Sequence, residues 1–194
     1  MYKFNKTYDL ILEGIFKPAS DEELAQRKLV APKIILKEWL EKFYKRKDIH
    51  KNPDGSYDVD GSVDLDSMML EKLPLKFNKV GGYFSCNSNK LTNLEGAPKS
   101  VGGYFSGAFT NLMSLEGAPR SVSGTFSCSN NKLTTLEGAP TSVGGNFWCT
   151  FNNLISLKGA PTSVDGDFYC YNNKKKFTRE DVTDVSYIRG MIRV

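Results

Sequence analysis

Val80, Val101, Val122, Val143 and Val164 are each followed four residues later by phenylalanine, at Phe84, Phe105, Phe126, Phe147 and Phe168, a strict period of 21. A fixed period of this length implies a solenoid, because each unit can bury its apolar face only against its neighbours. The columns divide by physical role. Val122, Phe126, Cys128, Leu133 and Leu136 repeat the spacing of Val80, Phe84, Cys86, Leu91 and Leu94 and are assigned inward. Asn89, Asn131, Asn152 and Asn173, with Thr110 substituting once, fall three residues after the cysteine column, where an amide can bond the backbone of the neighbouring coil. Gly61, Gly82, Gly103, Gly124, Gly145 and Gly166 form one glycine column. It marks a turn with positive φ or a backbone approach too close for a Cβ. Proline in Ala97-Pro98, Ala118-Pro119, Ala139-Pro140 and Ala160-Pro161 extends the alanine before it and gives the return segment.

The run from Phe126 to Leu136, F-x-C-x-x-N-x-L-x-x-L, resembles the leucine-rich repeat. The Ala139-Pro140 step looks like the proline-rich return of the short bacterial class found in secreted effector ubiquitin ligases, lengthened by one residue. More closely, Leu133 to Cys149, L-T-x-L-E-G-A-P-x-S-V-G-G-x-F-x-C, is similar to repeats in reading frames of tailed bacteriophages. This likeness starts near Asn52-Pro53-Asp54-Gly55 and spans about two thirds of the chain. It implies a leucine-rich-repeat-like α/β solenoid and a phage origin, but carries no activity; the catalytic domain of the pathogen ligases has no counterpart here.

Six parallel strands are expected, near 61–65, 82–86, 103–107, 124–128, 145–149 and 166–170, in one sheet. Val59, Gly61, Val63, Leu65, Leu70 and Leu73 make a degenerate first coil, while Lys175 and Thr178 in the leucine columns should end the apolar stack. The flanks read as helical. Ser20 and Glu23 form a capping box before 24–30, and Pro32 opens a second helix over about 33–47 with Ile35, Leu36, Trp39, Leu40 and Phe43 on one face. Thr178 caps a helix to about 190 that turns Val182, Val185 and Ile188 to the last coil. The expected organisation is an apolar segment at 1–19, a helical cap at 20–53, the solenoid at 54–178 and a capping helix at 179–194.

Length leaves no room for a separate enzyme domain. The apolar run at 10–16 is too short, and too interrupted by Glu13, for a signal peptide or a membrane span. Residence in a bacterial host's cytoplasm, or in the virion, is the expectation. Four cysteines in an inward column read as small buried hydrophobes; stacked strands spread them along a line, so no metal and no cofactor are expected. His50 reads as a solvated turn residue, and Ser100, Ser121, Ser142 and Ser163 as turn hydroxyls. The acidic run Asp54, Asp58, Asp60, Asp64 and Asp66 matches no calcium-loop spacing.

Charge is uneven: residues 1–53 carry twelve Lys or Arg against eight Asp or Glu, and the remainder fourteen against fourteen. Lys90, Lys132, Lys174, Lys175 and Lys176 are candidates for phosphate contact, though without a nucleic-acid-binding motif. Residues flanking the Phe and Cys columns should line a concave sheet face, where Trp148, Tyr169, Tyr171, Tyr83 and Tyr104 depart from the Ser, Asn and Thr of other coils. Phe109 and Phe151 occupy the variable position after the strand. Gly107, in the cysteine column, should leave a small void that Phe109 can turn inward to fill. These aromatics point either to a protein-binding face or to stacking that only stabilises the sheet. A non-enzymatic module binding a host or phage protein is the leading reading, ahead of a virion or assembly component docking through its N-terminal segment; nucleic-acid binding ranks third. The sequence leaves the oligomeric state open.

Overall fold

A computed structural model describes residues 33–194. The expected segment at 1–19 and the helix at 24–30 lie outside these residues. Of the described residues, 33–43 belong to one unit and 44–194 to a second, compact one. In the first, helix α1 is present over 33–43, four residues shorter than its apolar spacing suggests. The Trp39 and Phe43 rings stack one turn apart at 4.8 Å, and Lys37 pairs with Glu41 at 4.0 Å.

The second unit is a parallel β-solenoid of seven coils with two sheets rather than one. An antiparallel strand β1 (Ile49–Lys51) precedes β2 (Tyr57–Val59) and covers the edge of the first coil. Thereafter each coil gives one strand to each sheet. The first sheet stacks β2, β4 (Phe77–Val80), β6 (Ser100–Val101), β8 (Ser121–Val122), β10 (Ser142–Val143), β12 (Ser163–Val164) and β14 (Tyr187–Ile188). The second stacks β3 (Val63–Asp64), β5 (Phe84–Ser85), β7 (Phe105–Ser106), β9 (Phe126–Ser127), β11 (Phe147–Trp148), β13 (Phe168–Tyr169) and β15 (Ile192–Arg193). Register is 21 residues throughout the middle coils, Phe105 against Phe126 and Val122 against Val143. The six expected strand regions contain β3, β5, β7, β9, β11 and β13. The valine column was expected inward, as it is, but outside the strands; it builds the other sheet, with each valine buried and paired to that of the next coil.

A glycine corner joins the two strands of each coil. A Cβ on Gly124 would lie 2.9 Å from the backbone of Gly103, and one on Gly145 2.7 Å from that of Gly124. This column is thus fixed by the close approach of stacked backbones, not by a positive φ. Left-handed glycines recur instead at Gly96, Gly117, Gly138 and Gly159, in the E-G-A-P or K-G-A-P return. Their φ values, 83° to 91°, suit only a residue without a Cβ.

The core is a set of one-residue ladders. Phe84, Phe105, Phe126, Phe147 and Phe168 are fully buried and stack at 5.1 to 5.6 Å between centroids. Beside them run the valine, cysteine and leucine columns, also buried. Burial raises the thiol pKa of Cys86, Cys128 and Cys149 well above the ordinary value, as suits inert hydrophobic side chains. The asparagine column seals the end of each coil. Asn131 Nδ2 donates to the carbonyls of Gly107 (2.9 Å) and Cys128 (3.1 Å), while its Oδ1 accepts from the Leu112 N–H at 3.0 Å. Asn89 repeats the pattern on Leu65, Cys86 and Leu70.

The C-terminal end departs from expectation. Thr178 does cap a helix, in a reciprocal capping box with Asp181, but α2 spans only Arg179–Thr183. Val182 is buried; Val185 is exposed. The chain then re-enters both sheets: Ile188 pairs with Val164 and Ile192 with Phe168. Apolar stacking continues past Lys175 and Thr178 because Phe177 and Val182 supply the buried side chains. Residues 179–194 are therefore a short helix and a seventh coil, not one capping helix.

Candidate protein-binding face

The outer face of the second sheet is polar at its start and aromatic toward its end. On coils two and three a side-chain network closes over the strands. Ser85 Oγ donates to Asp66 Oδ1 at 2.6 Å, and Ser106 Oγ donates to Asn87 Oδ1 at 2.6 Å. Ser85 is buried by it. On coils five and six the same column holds Trp148 and Tyr169, half-buried, with rings stacked at 4.3 Å. The Tyr169 hydroxyl donates to Asp167 at 2.8 Å, and that carboxylate raises the Tyr169 pKa. Arg193 lies 5.8 Å from the Tyr169 ring. Tyr171 meets Phe151 edge to face at 5.9 Å. Trp148, Tyr169, Tyr171 and Phe151 thus form one aromatic patch across neighbouring coils. Tyr83 and Tyr104 form a separate pair, stacked at 4.7 Å on coils two and three. Cross-strand stacking is therefore present, and it leaves Trp148, Tyr169 and Tyr171 partly open to solvent.

Phe109 does not turn inward: it is 62% exposed. A Cβ on Gly107 would meet Leu112, Phe105 and Cys86 at 3.6 to 3.7 Å, ordinary contact, so no cavity calls for a phenyl ring. The backbone explains the rest. The column of Ser88, Phe109, Asn130, Phe151 and Asn172 has φ between 52° and 57°, the left-handed region. Asn tolerates that conformation; a bulky residue there is an outlier, at a cost of about 1–2 kcal/mol. Phe109 and Phe151 bear this cost while standing 62% and 48% exposed, so burial does not repay it. Phe109→Asn, the residue of coil four, is accordingly expected to raise stability by about 1 kcal/mol in urea unfolding. A loss of stability would mean that the ring packs against the fold after all.

A signal missed by column reading becomes visible here. Outward positions on this loop edge alternate with a period of two coils. Coils three and five present Phe109, Asn111 and Met113, then Phe151, Asn153 and Ile155; coils two and four present Ser88, Lys90 and Thr92, then Asn130, Lys132 and Thr134. Met113 and Ile155 are 66% and 55% exposed. The inward residues between them, Leu112 and Leu154, are buried, so these are true outward positions of an otherwise regular coil. Searching the sequence at 42 residues as well as 21 would have found them.

The lysine candidates separate. Lys90, Lys132 and Lys174 share one exposed column on alternate coils. Among the described residues no carboxylate lies within ion-pair distance of them. Lys175 is engaged: it pairs with Asp181 at 2.8 Å and lies over the Phe177 ring. Lys176 falls in the Met113 and Ile155 column. Among the described residues no cluster of His, Cys, Asp or Glu could hold a metal ion, and no helix is long and apolar enough to cross a membrane. His50 faces Asp60 at 3.1 Å on the exposed first hairpin.

The fold and this face define a parallel β-solenoid repeat protein with an aromatic outer patch. Comparison of the chain with protein-family models, curated proteins and solved structures returns no match.

Proposed function

We propose that the chain is a non-catalytic protein-binding module of leucine-rich-repeat type, an accessory protein of a tailed bacteriophage that engages a host or phage protein. The reading rests chiefly on one observation: Trp148 and Tyr169 stand half-exposed on adjacent coils where earlier coils carry Ser85, Ser106 and Ser127, and Tyr171 stands beside them where earlier coils carry Asn87, Ala108, Ser129 and Thr150. The fold does not need them there, and half-buried aromatics held rigid by stacking are the usual anchors of a protein interface. The phage origin rests on the repeat resemblance and places the protein in the infected cytoplasm or the virion.

Trp148→Ser restores the residue of three earlier coils and should leave the fold intact. It should weaken binding of a captured partner roughly thirtyfold, as expected for an anchor contributing about 2 kcal/mol. Partners are recovered by affinity purification from infected cells and titrated calorimetrically against both proteins. Equal affinities at matched thermal stability would reduce the stacked aromatics to sheet stabilisers.

A further inference from the structure

We propose that the loop edge of coils two to six receives an acidic amphipathic α-helix of the partner, lying across the coils. Its apolar side chains, seven residues apart, meet Phe109 with Met113 and Phe151 with Ile155, and carboxylates before, between and after them meet Lys90, Lys132 and Lys174. The inference rests on the protein-binding reading and supplies the ligand's chemistry.

Spacing together with the lysine between the rows selects the helix. Parallel strands stack about 4.8 Å apart, so the two apolar rows, separated by one coil, are roughly 9.6 Å apart. Seven residues of an α-helix rise about 10.5 Å. A β-strand repeats its side chains on one face roughly every 6.7 Å and misses the second row, and a polyproline II peptide, repeating roughly every 9.3 Å, reaches both rows but presents no side chain on that face between them for Lys132. Charge selects the helix's composition. Lys132 stands between the apolar rows, and Lys90 and Lys174 stand outside them on the flanking coils, all exposed. Helix residues three and four positions from each apolar anchor fall over those lysines. From Lys90 to Lys174 the site spans four coil steps, about 19 Å, or some thirteen helical residues. Phe at two left-handed positions, φ 53° and 52°, fits a surface that serves contact rather than the fold. Phenyl rings beside lysines also suit single-stranded nucleic acid, but Met113 and Ile155 offer no stacking plane, and the intervening coil carries no aromatic in this column.

The test uses the full chain and a lactam-stapled 18-residue helix with Leu at two positions seven apart and Glu three and four residues before, between and after them. An isomer with the leucines four apart and a dodecathymidylate are titrated in parallel, by NMR up to millimolar concentration. The heptad peptide should bind at least tenfold tighter than its isomer. Phe109→Asn with Phe151→Asn should abolish that preference, and Lys132→Gln should weaken binding severalfold and flatten its salt dependence. Equal binding of the two peptides, no binding of either, or indifference to the double Phe variant overturns the proposal. Tighter, salt-sensitive binding of the oligonucleotide overturns it in favour of nucleic acid. If a captured partner is lost with the double Phe variant while the peptides show no spacing preference, the protein-binding reading stands and the helix falls. A captured partner indifferent to both the Phe and the Trp148 variants removes the reading itself.

Discussion

Phe126→Ala will lower the free energy of unfolding by about 3–5 kcal/mol. The side chain is fully buried in a middle coil and stacked on both sides, 5.1 Å from Phe105 and 5.5 Å from Phe147. Deletion leaves a gap that cannot collapse easily. The strands above and below are held at fixed separation by backbone bonds such as Phe126 N–H to the Asn146 carbonyl (2.9 Å) and Phe105 N–H to that of Thr125 (2.9 Å). In a solenoid the damage also propagates, because stability is a sum of coil terms and nearest-neighbour interfaces and the substitution weakens both interfaces of coil four. The melting temperature should fall by roughly 10 °C, since 1 kcal/mol moves a domain of this size by about 2–4 °C. Calorimetry or urea unfolding reads the change. A shift within about 1 kcal/mol would contradict the packing of the phenylalanine ladder.

Comparable harm is expected from Asn131→Leu, although leucine is larger in apolar surface and close in size. The amide bonds five groups of the fold at once: the carbonyls of Gly107, Cys128 and Ser129, the Leu112 N–H and the Thr110 hydroxyl, which donates to Asn131 Oδ1 at 2.6 Å. Leucine strands them in the interior, at about 1–3 kcal/mol for each group left unpaired. Some will find water at the coil edge, so a total of about 3–5 kcal/mol is expected. Coil three holds the internal control, since Thr110 stands in the asparagine column and bonds with a single hydroxyl. Asn131→Thr should therefore cost less than Asn131→Leu. The order of the two urea midpoints checks the argument; leucine at or above threonine would show that the ladder does not depend on its amides.

Inward columns were legible because they carry one residue type at one spacing. Phe126, Leu133 and Asn131 sit where the period puts them. The first sheet was not legible, because in its repeated strands, as in Ser121–Val122, a single inward valine runs into the glycine corner and shows no alternation, whereas Phe126 and Cys128 alternate on the second. The seventh coil escaped for another reason. Ile188, Gly190 and Ile192 follow Val164, Gly166 and Phe168 at an interval of 24 rather than 21, since α2 lengthens the loop. Outward residues were the least legible. Ser85 and Trp148 share a column, yet one is buried under a hydrogen-bond network and the other is half-open. Side-chain bonding between coils decides which, and no single-column pattern carries that. Phe109 was misjudged because its φ of 53°, which turns the side chain outward, depends on a loop geometry that the residue type itself argues against.

The four thiols make the protein its own recorder. Cys86, Cys128, Cys149 and Cys170 occupy coils two, four, five and six, all buried, and the first three donate weakly through Sγ to carbonyls of the next coil at 3.4 to 3.5 Å. An alkylating reagent can reach any of them only while its own coil is open. A brief pulse of reagent followed by peptide mass analysis therefore dates the opening of each coil separately, without an added label. Whether a pull or a denaturant unwinds the stack from one end or splits it in the middle would be written in which sulfur carries the first adduct.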